Sequence, residues 1–251
     1  MSKKSKKIRG KSRFFIYYIL ILVVVFFVGY KAKELSKDME FFNIKNIRIT
    51  GNNLVSKEYL SSIADEYIGV NIFELDKNEM AERFKTISRI EDINTVRLLP
   101  SRLLVRVKER IGVFYIKENN GEIHPIDEQR VILDKADWYV EEDLPLININ
   151  FSKDKIGVGQ KLDDTRIEYI FEVYDILKKN NPSIISDISE FYFIRNDLYF
   201  IDIKSGSRVI LSTSDIAEQM SRFLFLRNNQ GFNRHSTIDL RFGEQIVVTN
   251  N

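Results

Sequence analysis

The chain has no cysteine, which excludes disulfide bonds, thiolate nucleophiles and cysteine-ligated metals. Histidine is almost as scarce, with His124 and His235 as the two examples. They lie far apart in the sequence, without acidic or cysteine partners at the spacing of a metal-ligand set. The sequence therefore predicts that neither histidine is catalytic and that the protein holds no metal ion.

Catalytic and nucleotide-binding motifs are missing as well. The chain contains no GxSxG, HExxH or P-loop pattern, and Gly157-Val158-Gly159 lacks the rest of a dinucleotide fingerprint. We therefore predict no enzymatic activity, no catalytic residue, no cofactor and no small-molecule substrate. Carboxylates are abundant but scattered, and they could still converge in the folded chain. A membrane-anchored hydrolase thus stays open as an alternative, and a concave, polar-lined pocket would be its structural sign.

Charge is unevenly distributed along the chain. The whole chain carries 38 Lys and Arg against 36 Asp and Glu, a formal net charge of +2. Residues 1–13 hold seven of the basic residues and no acidic one, so the remainder has 31 basic residues against 36 acidic ones. A nucleic-acid-binding surface calls for a basic face. The mildly acidic remainder therefore argues against a nucleic-acid partner.

One long apolar run is present. Residues 14–30 read FFIYYILILVVVFFVGY, seventeen residues without a charge. A membrane-spanning helix needs about 20 mainly apolar residues, with a range of roughly 17 to 25, so residues 14–30 are predicted to form a transmembrane helix. Basic residues accumulate on the cytoplasmic side of such helices. The tail at 1–13 is therefore predicted to lie in the cytoplasm and the chain beyond the helix outside it, after a charged spacer at 31–41.

A cleaved signal peptide is the main alternative to a membrane anchor. Its apolar region normally has about 7 to 15 residues and is followed by a small-x-small cleavage site. After Val28 the chain reads Gly29-Tyr30-Lys31-Ala32, which is a poor cleavage site. The sequence therefore favours an uncleaved anchor that embeds the protein in the membrane by one helix.

Residues 42–110 predict a small α+β domain. Apolar residues alternate near both ends of this segment, as in half-buried strands, and recur at helical spacing between them. Ser56 and Asp76 stand where helix N-caps are expected. The predicted order is β-α-α-β-β, with two helices on one face of a three-stranded sheet. Its strands are predicted at Ile44–Ile49, Ile93–Leu99 and Leu103–Lys108.

Residues 111–249 predict a second, mixed α+β domain built on an antiparallel or mixed sheet. Two helices follow from the 3.6-residue periodicity, the first capped by Asp163 or Asp164 and the second starting at Asp215. The predicted strands lie at Gly112–Lys117, Ile123–Ile126, Arg130–Leu133, Leu144–Ile147, Ile188–Ile194, Leu198–Ile203, Arg208–Leu211 and Ser236–Thr249.

Several short motifs occur in an order and spacing typical of one protein family. They are Ile47-Arg48-Ile49-Thr50-Gly51-Asn52, Gly69 to Asp76, Leu99-Pro100-Ser101-Arg102-Leu103 and Lys108-Glu109-Arg110. Directly behind a basic-flanked apolar run, this segment resembles the POTRA domain of the FtsQ/DivIB bacterial cell-division proteins. Further similarity at Ile126-Asp127, Leu144-Pro145 and Ile238 to Phe242 extends the resemblance to about Val248. The chain departs from the family pattern at Ile111, where a proline is usual, and at Asn148, where a glycine is frequent.

The last predicted strand is the candidate binding site. Its alternation places Ile238, Leu240 and Phe242 on one face and Asp239 and Arg241 on the other. A strand near a chain end that lies at a sheet edge offers unpaired backbone groups to a partner strand. Alternatively, Asp239 and Arg241 form a surface ion pair and nothing binds there. The residues alone leave both interpretations open.

The resemblance implies a partner. In FtsQ/DivIB proteins the C-terminal part of the second domain binds the small coiled-coil division proteins FtsB and FtsL. Carried onto this sequence, the partner-binding residues are Arg241, Phe242, Ile246, Val247 and Val248. The resemblance thus implies a single-pass scaffold at the division septum, in the bacterial inner (cytoplasmic) membrane. A POTRA-bearing assembly factor for exported proteins, using the sheet edge around Ile44 to Thr50, is the other alternative.

Overall fold

The computed structural model describes residues 8–37, 39–117, 121–135, 143–151, 157–229 and 233–250. Helices and two sheets form a mixed α+β fold, as predicted. The chain divides into two compact units. The first unit comprises Met1–Thr50, Lys57–Ala81 and Asn94–Arg106, and the second comprises Gly51–Ser56, Glu82–Ile93 and Val107–Asn251.

The first helix, α1 (Ile8–Lys37), has 30 residues and contains the whole apolar run at 14–30. The large apolar side chains from Phe15 to Tyr30 are exposed, Ile19 least at 47% and Phe26 most at 72%. Of the helices within the described residues, none combines the length and the apolarity that crossing a bilayer takes. The predicted membrane crossing therefore stays a prediction.

Five elements follow α1 in the predicted order β-α-α-β-β, which is confirmed. They are β1 (Asn46–Thr50), α2 (Lys57–Ala64), α3 (Lys77–Lys85), β2 (Ile90–Leu98) and β3 (Arg102–Glu109). Strand β3 lies between β1 and β2 in a three-stranded sheet. Its pairing with β1 is parallel, with Asn46 opposite Arg102 and Thr50 opposite Arg106.

The helices begin where the sequence signals predict. The carboxylate Oδ1 of Asp76 accepts the N–H of Asn78 at 2.8 Å and that of Glu79 at 3.2 Å, which satisfies two of the unpaired donors at the start of α3. In α2, Leu60 and Ile63 are one turn apart and both buried. An amphipathic helix of eight residues is too short to be stable alone, so this burial is what stabilises α2.

The loop after β1 is held by a single carboxylate. Glu109 at the end of β3 accepts the backbone N–H groups of Asn53 at 2.8 Å, Leu54 at 2.9 Å and Val55 at 2.9 Å. An ionised carboxylate that accepts several backbone N–H groups forms stronger hydrogen bonds than a neutral acceptor. Glu109 of the Lys108-Glu109-Arg110 motif therefore has a structural role: it fixes the loop that precedes α2.

We predict that Glu109→Gln lowers the free energy of unfolding by about 1 to 3 kcal/mol. Glutamine has no negative charge, and its NH₂ group would place a hydrogen-bond donor against the backbone N–H groups that the carboxylate accepts. Urea unfolding measures the change. Glu91→Gln is the matched control, because Glu91 pairs with the exposed Lys108 at 2.9 Å and such a surface pair contributes about 0 to 1 kcal/mol. Equal destabilisation by the two substitutions would contradict the role given to Glu109.

The second sheet has eight strands in the order β11-β10-β9-β8-β7-β6-β4-β5. It is mixed, as predicted: β9 with β10, β4 with β6 and β6 with β7 pair in parallel, and the remaining neighbours pair antiparallel. The strands are β4 (Gly112–Lys117), β5 (Ile123–Asp127), β6 (Leu146–Asn148), β7 (Ile188–Ile194), β8 (Asp197–Asp202), β9 (Ser207–Leu211), β10 (Ser236–Asp239) and β11 (Val247–Asn250).

Two helices, α4 (Thr165–Asn180) and α5 (Ile216–Asn229), pack on one face of this sheet. Of the two predicted caps for α4, Asp164 is the one used, and its carboxylate accepts the N–H of Arg166 at 2.9 Å. The core between the helices and the sheet consists of aromatic and branched side chains. It includes Ile167, Ile170, Val173 and Leu177 of α4, Ile216, Met220 and Phe223 of α5, and Phe114, Ile147, Phe191, Phe200, Val209 and Ile238 of the sheet.

Two predicted strands are wrong. Arg130–Leu133 is not a regular strand, because Arg130 has a left-handed φ of 68° and the following residues form only isolated bridges. The predicted Ser236–Thr249 strand is two strands, β10 and β11, joined by a turn at 240–246. In that turn Gly243 has a φ of 42°, which reverses the chain.

Candidate partner-binding edge of the sheet

Strand β11 is the terminal strand of the eight-stranded sheet, and all four of its residues are exposed. At the opposite end of the sheet, β5 is approached by a loop, since Asp127 N–H donates to Val131 at 3.1 Å and Leu133 N–H donates to Pro125 at 2.8 Å. Among the described residues, no strand pairs with the outer side of β11. The predicted location of the last strand at a sheet edge therefore holds for β11.

The hydrogen-bond pattern shows which β11 residues face outward. Leu240 N–H donates to Ile210 O at 3.0 Å, so by alternation Ile238 also faces β9 while Thr237 and Asp239 face β11. Thr237 lies opposite Thr249 and Asp239 lies opposite Val247. Val247 and Thr249 therefore hydrogen-bond β10, and the backbone N–H and C=O of Val248 and Asn250 face away from the sheet.

The two valines of β11 belong to opposite faces. Val248 lies opposite the fully buried Ile238 and therefore on the face that α4 and α5 cover, yet it is 43% exposed at the margin of that face. Val247 lies opposite Asp239, on the other face, and is 42% exposed. An added strand would thus meet apolar surface on both of its faces.

The turn at 240–246 carries two more of the predicted residues, Arg241 and Phe242. Phe242 is 54% exposed and does not continue the buried face of Ile238 and Leu240 as predicted, because the strand ends at Asp239 and the turn redirects the chain. Inside the turn, Gln245 N–H donates to Phe242 O at 2.8 Å.

Ile246 differs from the other four predicted residues. It is half-buried and packs against the hydrophobic core. The structure therefore places Arg241 and Phe242 in the turn and Val247 and Val248 on the edge strand, with Ile246 as the packing residue that joins the two parts.

Arg241 forms the ion pair that the alternative interpretation expects. Its guanidinium donates to both oxygens of Asp239, at 2.9 Å and 2.5 Å, and to Asp197 at 2.6 Å. Burial raises the pKa of the Asp239 carboxyl, but the hydrogen bonds from the Arg241 side chain and N–H outweigh burial, so the net shift is downward. The hydrogen bond with Asp239 is the main cause that raises the pKa of Arg241. This bidentate geometry ties the turn to β10 and to the start of β8.

Sequence reasoning missed one residue of this region, Arg222 of α5. Its side chain donates to the backbone carbonyls of Leu240 at 2.9 Å and Gln245 at 3.0 Å, at the two ends of the turn. No sequence signal marks it, because an arginine on a helix flank usually faces solvent.

The hydrolase alternative calls for a concave, polar-lined pocket, and the second unit has a cavity lined by carboxylates. A cavity of about 700 Å³ lies between α4, α5 and the turn after β5, and its polar lining includes Glu128, Glu168, Glu172 and Asp175. Glu168 is paired with Arg130 at 2.8 Å. A hydrogen bond from Lys178 is the main cause that lowers the pKa of Glu128.

The histidines lie apart in this unit. His124 is on β5, at one end of the sheet, and His235 directly precedes β10, near the other end. Within the part of the chain that the structure describes, no group of three or more His, Asp and Glu is arranged to hold a metal ion.

The assembly-factor alternative would use the sheet edge at β1. Strand β1 is also a terminal strand, in the three-stranded sheet.

Comparison with known proteins gives a consistent result. The model of the POTRA domain, FtsQ-type, matches residues 42–110. The cell division protein DivIB of Clostridium botulinum is 31% identical over 226 residues, which cover 87% of this chain and 81% of that protein. DivIB of Clostridium acetobutylicum is 27% identical over 185 residues, covering 73% and 72%. The cell division protein FtsQ of Caulobacter vibrioides is 24% identical over 242 residues, covering 90% and 74%.

The family model covers the POTRA segment and the relatives cover most of the chain, and together they confirm the family that the sequence motifs indicate. At 31% identity over most of both chains, the DivIB match is sufficient to assign membership. The chain belongs to the DivIB/FtsQ family of bacterial cell-division proteins.

Proposed function

We propose that this protein is a single-pass membrane scaffold of the division machinery, and that its second unit captures an FtsB/FtsL-type division protein by adding a partner strand to β11. The observation that carries the proposal is the outward-facing backbone of Val248 and Asn250 on an exposed terminal strand. Strand addition takes its affinity from main-chain hydrogen bonds and its selectivity from flanking side chains. Val247 and Val248 supply flanking apolar surface, and Phe242 supplies an exposed aromatic anchor.

A short edge strand suits a scaffold. Four residues offer few hydrogen bonds, so the affinity of one contact is modest. When both proteins are confined to one membrane, their effective concentration rises and modest pairwise affinities suffice for assembly. The proposed activity is thus binding and positioning, with no chemical transformation of a substrate.

We predict that Val248→Pro weakens capture of the organism's FtsB/FtsL-type protein by about tenfold or more. Proline removes the outward N–H of Val248 and adds a ring where the partner strand would lie, but it leaves the bonds from Val247 and Thr249 to β10 in place. The full-length chain in lipid nanodiscs, tested by biolayer interferometry, gives the dissociation constant.

Val248→Ala is the matched control for this substitution. It shortens the side chain and keeps the backbone N–H, so its dissociation constant should stay within a few-fold of the wild-type value. Wild-type affinity of the Val248→Pro chain, with the fold intact by circular dichroism, would refute strand addition at β11.

The proposal includes a membrane anchor at residues 14–30. It is supported by the seventeen-residue uncharged run, by its inclusion in the continuous helix α1, and by the exposure of its side chains. The seven basic residues of the tail at 1–13 support a cytoplasmic N-terminus, with both folded units on the outer side of the inner membrane at the division septum.

We predict that protease added to intact spheroplasts digests the region after residue 41 and spares the N-terminal tail. Epitope tags at the two ends of the chain, followed by immunoblotting, distinguish the two regions. A cytoplasmic marker protein that stays intact is the control for sealed membranes. Protection of the C-terminal tag in sealed spheroplasts would overturn the proposed topology.

A further inference from the structure

Arg222 links helix α5 to the turn between β10 and β11. One terminal nitrogen, Nη2, donates to Leu240 O at 2.9 Å, and the other, Nη1, donates to Gln245 O at 3.0 Å. The side chain is only 17% exposed. Because the guanidinium is planar and rigid, two bonds from its two ends fix the separation of the two carbonyls as well as their positions.

Few backbone hydrogen bonds form within the turn itself. Its own backbone hydrogen bonds are Gln245 N–H to Phe242 O at 2.8 Å and the longer Gly243 N–H to Arg241 O at 3.3 Å. Gly243 sits in open space, with no heavy atom within 4 Å of the position a Cβ would take. A glycine in such a place restricts the backbone weakly. Arg222 therefore adds hydrogen bonds from the helix layer to both ends of the turn, beside the packing of Leu240 and Ile246 against the core.

The ion pair of Arg222 is the weaker of its interactions. Its Nε lies 4.0 Å from Glu218, one turn earlier on α5, and the Glu218 side chain is 63% exposed. A pair at that distance, with its carboxylate exposed to solvent, contributes little. The main interactions of the partly buried guanidinium are thus its hydrogen bonds to the two carbonyls.

We propose that Arg222 is a positioning residue for partner binding: by clamping Leu240 and Gln245 it orders the turn that presents Phe242 and sets the start of β11. This inference rests on the proposed capture of a partner strand at β11. Ordering a binding loop before the partner arrives removes part of the entropy cost of association. A looser turn presents the same residues but captures the partner less tightly.

The test uses three variants of the full-length chain in nanodiscs: Arg222→Ala, Arg222→Lys and, as the control on the same helix flank, Glu218→Gln. Hydrogen exchange without partner is measured first. In Arg222→Ala the Gly243 and Gln245 amides should exchange about tenfold faster, while amides of β7 and β8 keep their protection.

Binding is measured second. In Arg222→Ala, capture of the FtsB/FtsL-type protein should weaken about tenfold. Arg222→Lys should fall between wild type and Ala, since an ammonium is a compact donor that lacks the fork. Glu218→Gln should match wild type in both measurements.

Each remaining outcome overturns the inference. Unchanged exchange at Gly243 and Gln245 in Arg222→Ala shows that Arg222 does not order the turn, whatever the partner does. Loss of protection across β7 and β8 in both Arg222 variants shows a general stability role instead. Faster turn exchange with wild-type capture shows that order in the turn does not matter for binding. Failure of the strand-addition proposal itself is seen separately, as wild-type capture by Val248→Pro.

Discussion

Backbone hydrogen bonding is the constraint on which this arrangement depends. Nearly every N–H and C=O in a folded chain needs a partner, and the second sheet meets that need strand by strand from β4 through β10. The need is left open at β11, where the alternation of the β9–β10–β11 ladder turns the backbone of Val248 and Asn250 outward. The candidate site is therefore a row of backbone groups, and side chains only flank it.

The ion pair and the exposed edge, which the sequence left as competing interpretations, coexist in the structure. Arg241 is bound by Asp239 and Asp197, and this pairing keeps its guanidinium about 5.9 Å from the Phe242 ring centroid. The pair ties the turn to the sheet on the side away from the helices. Arg222 ties the same turn to α5 on the other side, so the segment before β11 is held from two directions.

Local signals in the sequence predict most of the elements. Asp76 and Asp164 cap the helices they precede, and Gly51 of the Thr50-Gly51-Asn52 step has a φ of 90°, where an added Cβ would lie 2.4 Å from Val107 O. The break between β10 and β11 could not be predicted in the same way. Alternation continues through Ile238, Leu240 and Phe242, and Arg222, one of the two arginines that hold the turn, lies 18 residues before Leu240. Parallel pairings such as β9 with β10 likewise leave no local trace.

An exposed sheet edge is a hazard as well as a site, because it can pair with any extended chain. Here β11 has only four residues and is preceded by a turn fixed at both ends, which limits the length of strand that can be added. Unspecific pairing over four residues gains a few weak hydrogen bonds, too few to offset the entropy of ordering a free chain. A partner that also meets Val247, Val248 and Phe242 gains apolar contacts on both faces. Selectivity at such an edge therefore comes from the side chains beside it, because backbone pairing over four residues is too weak by itself.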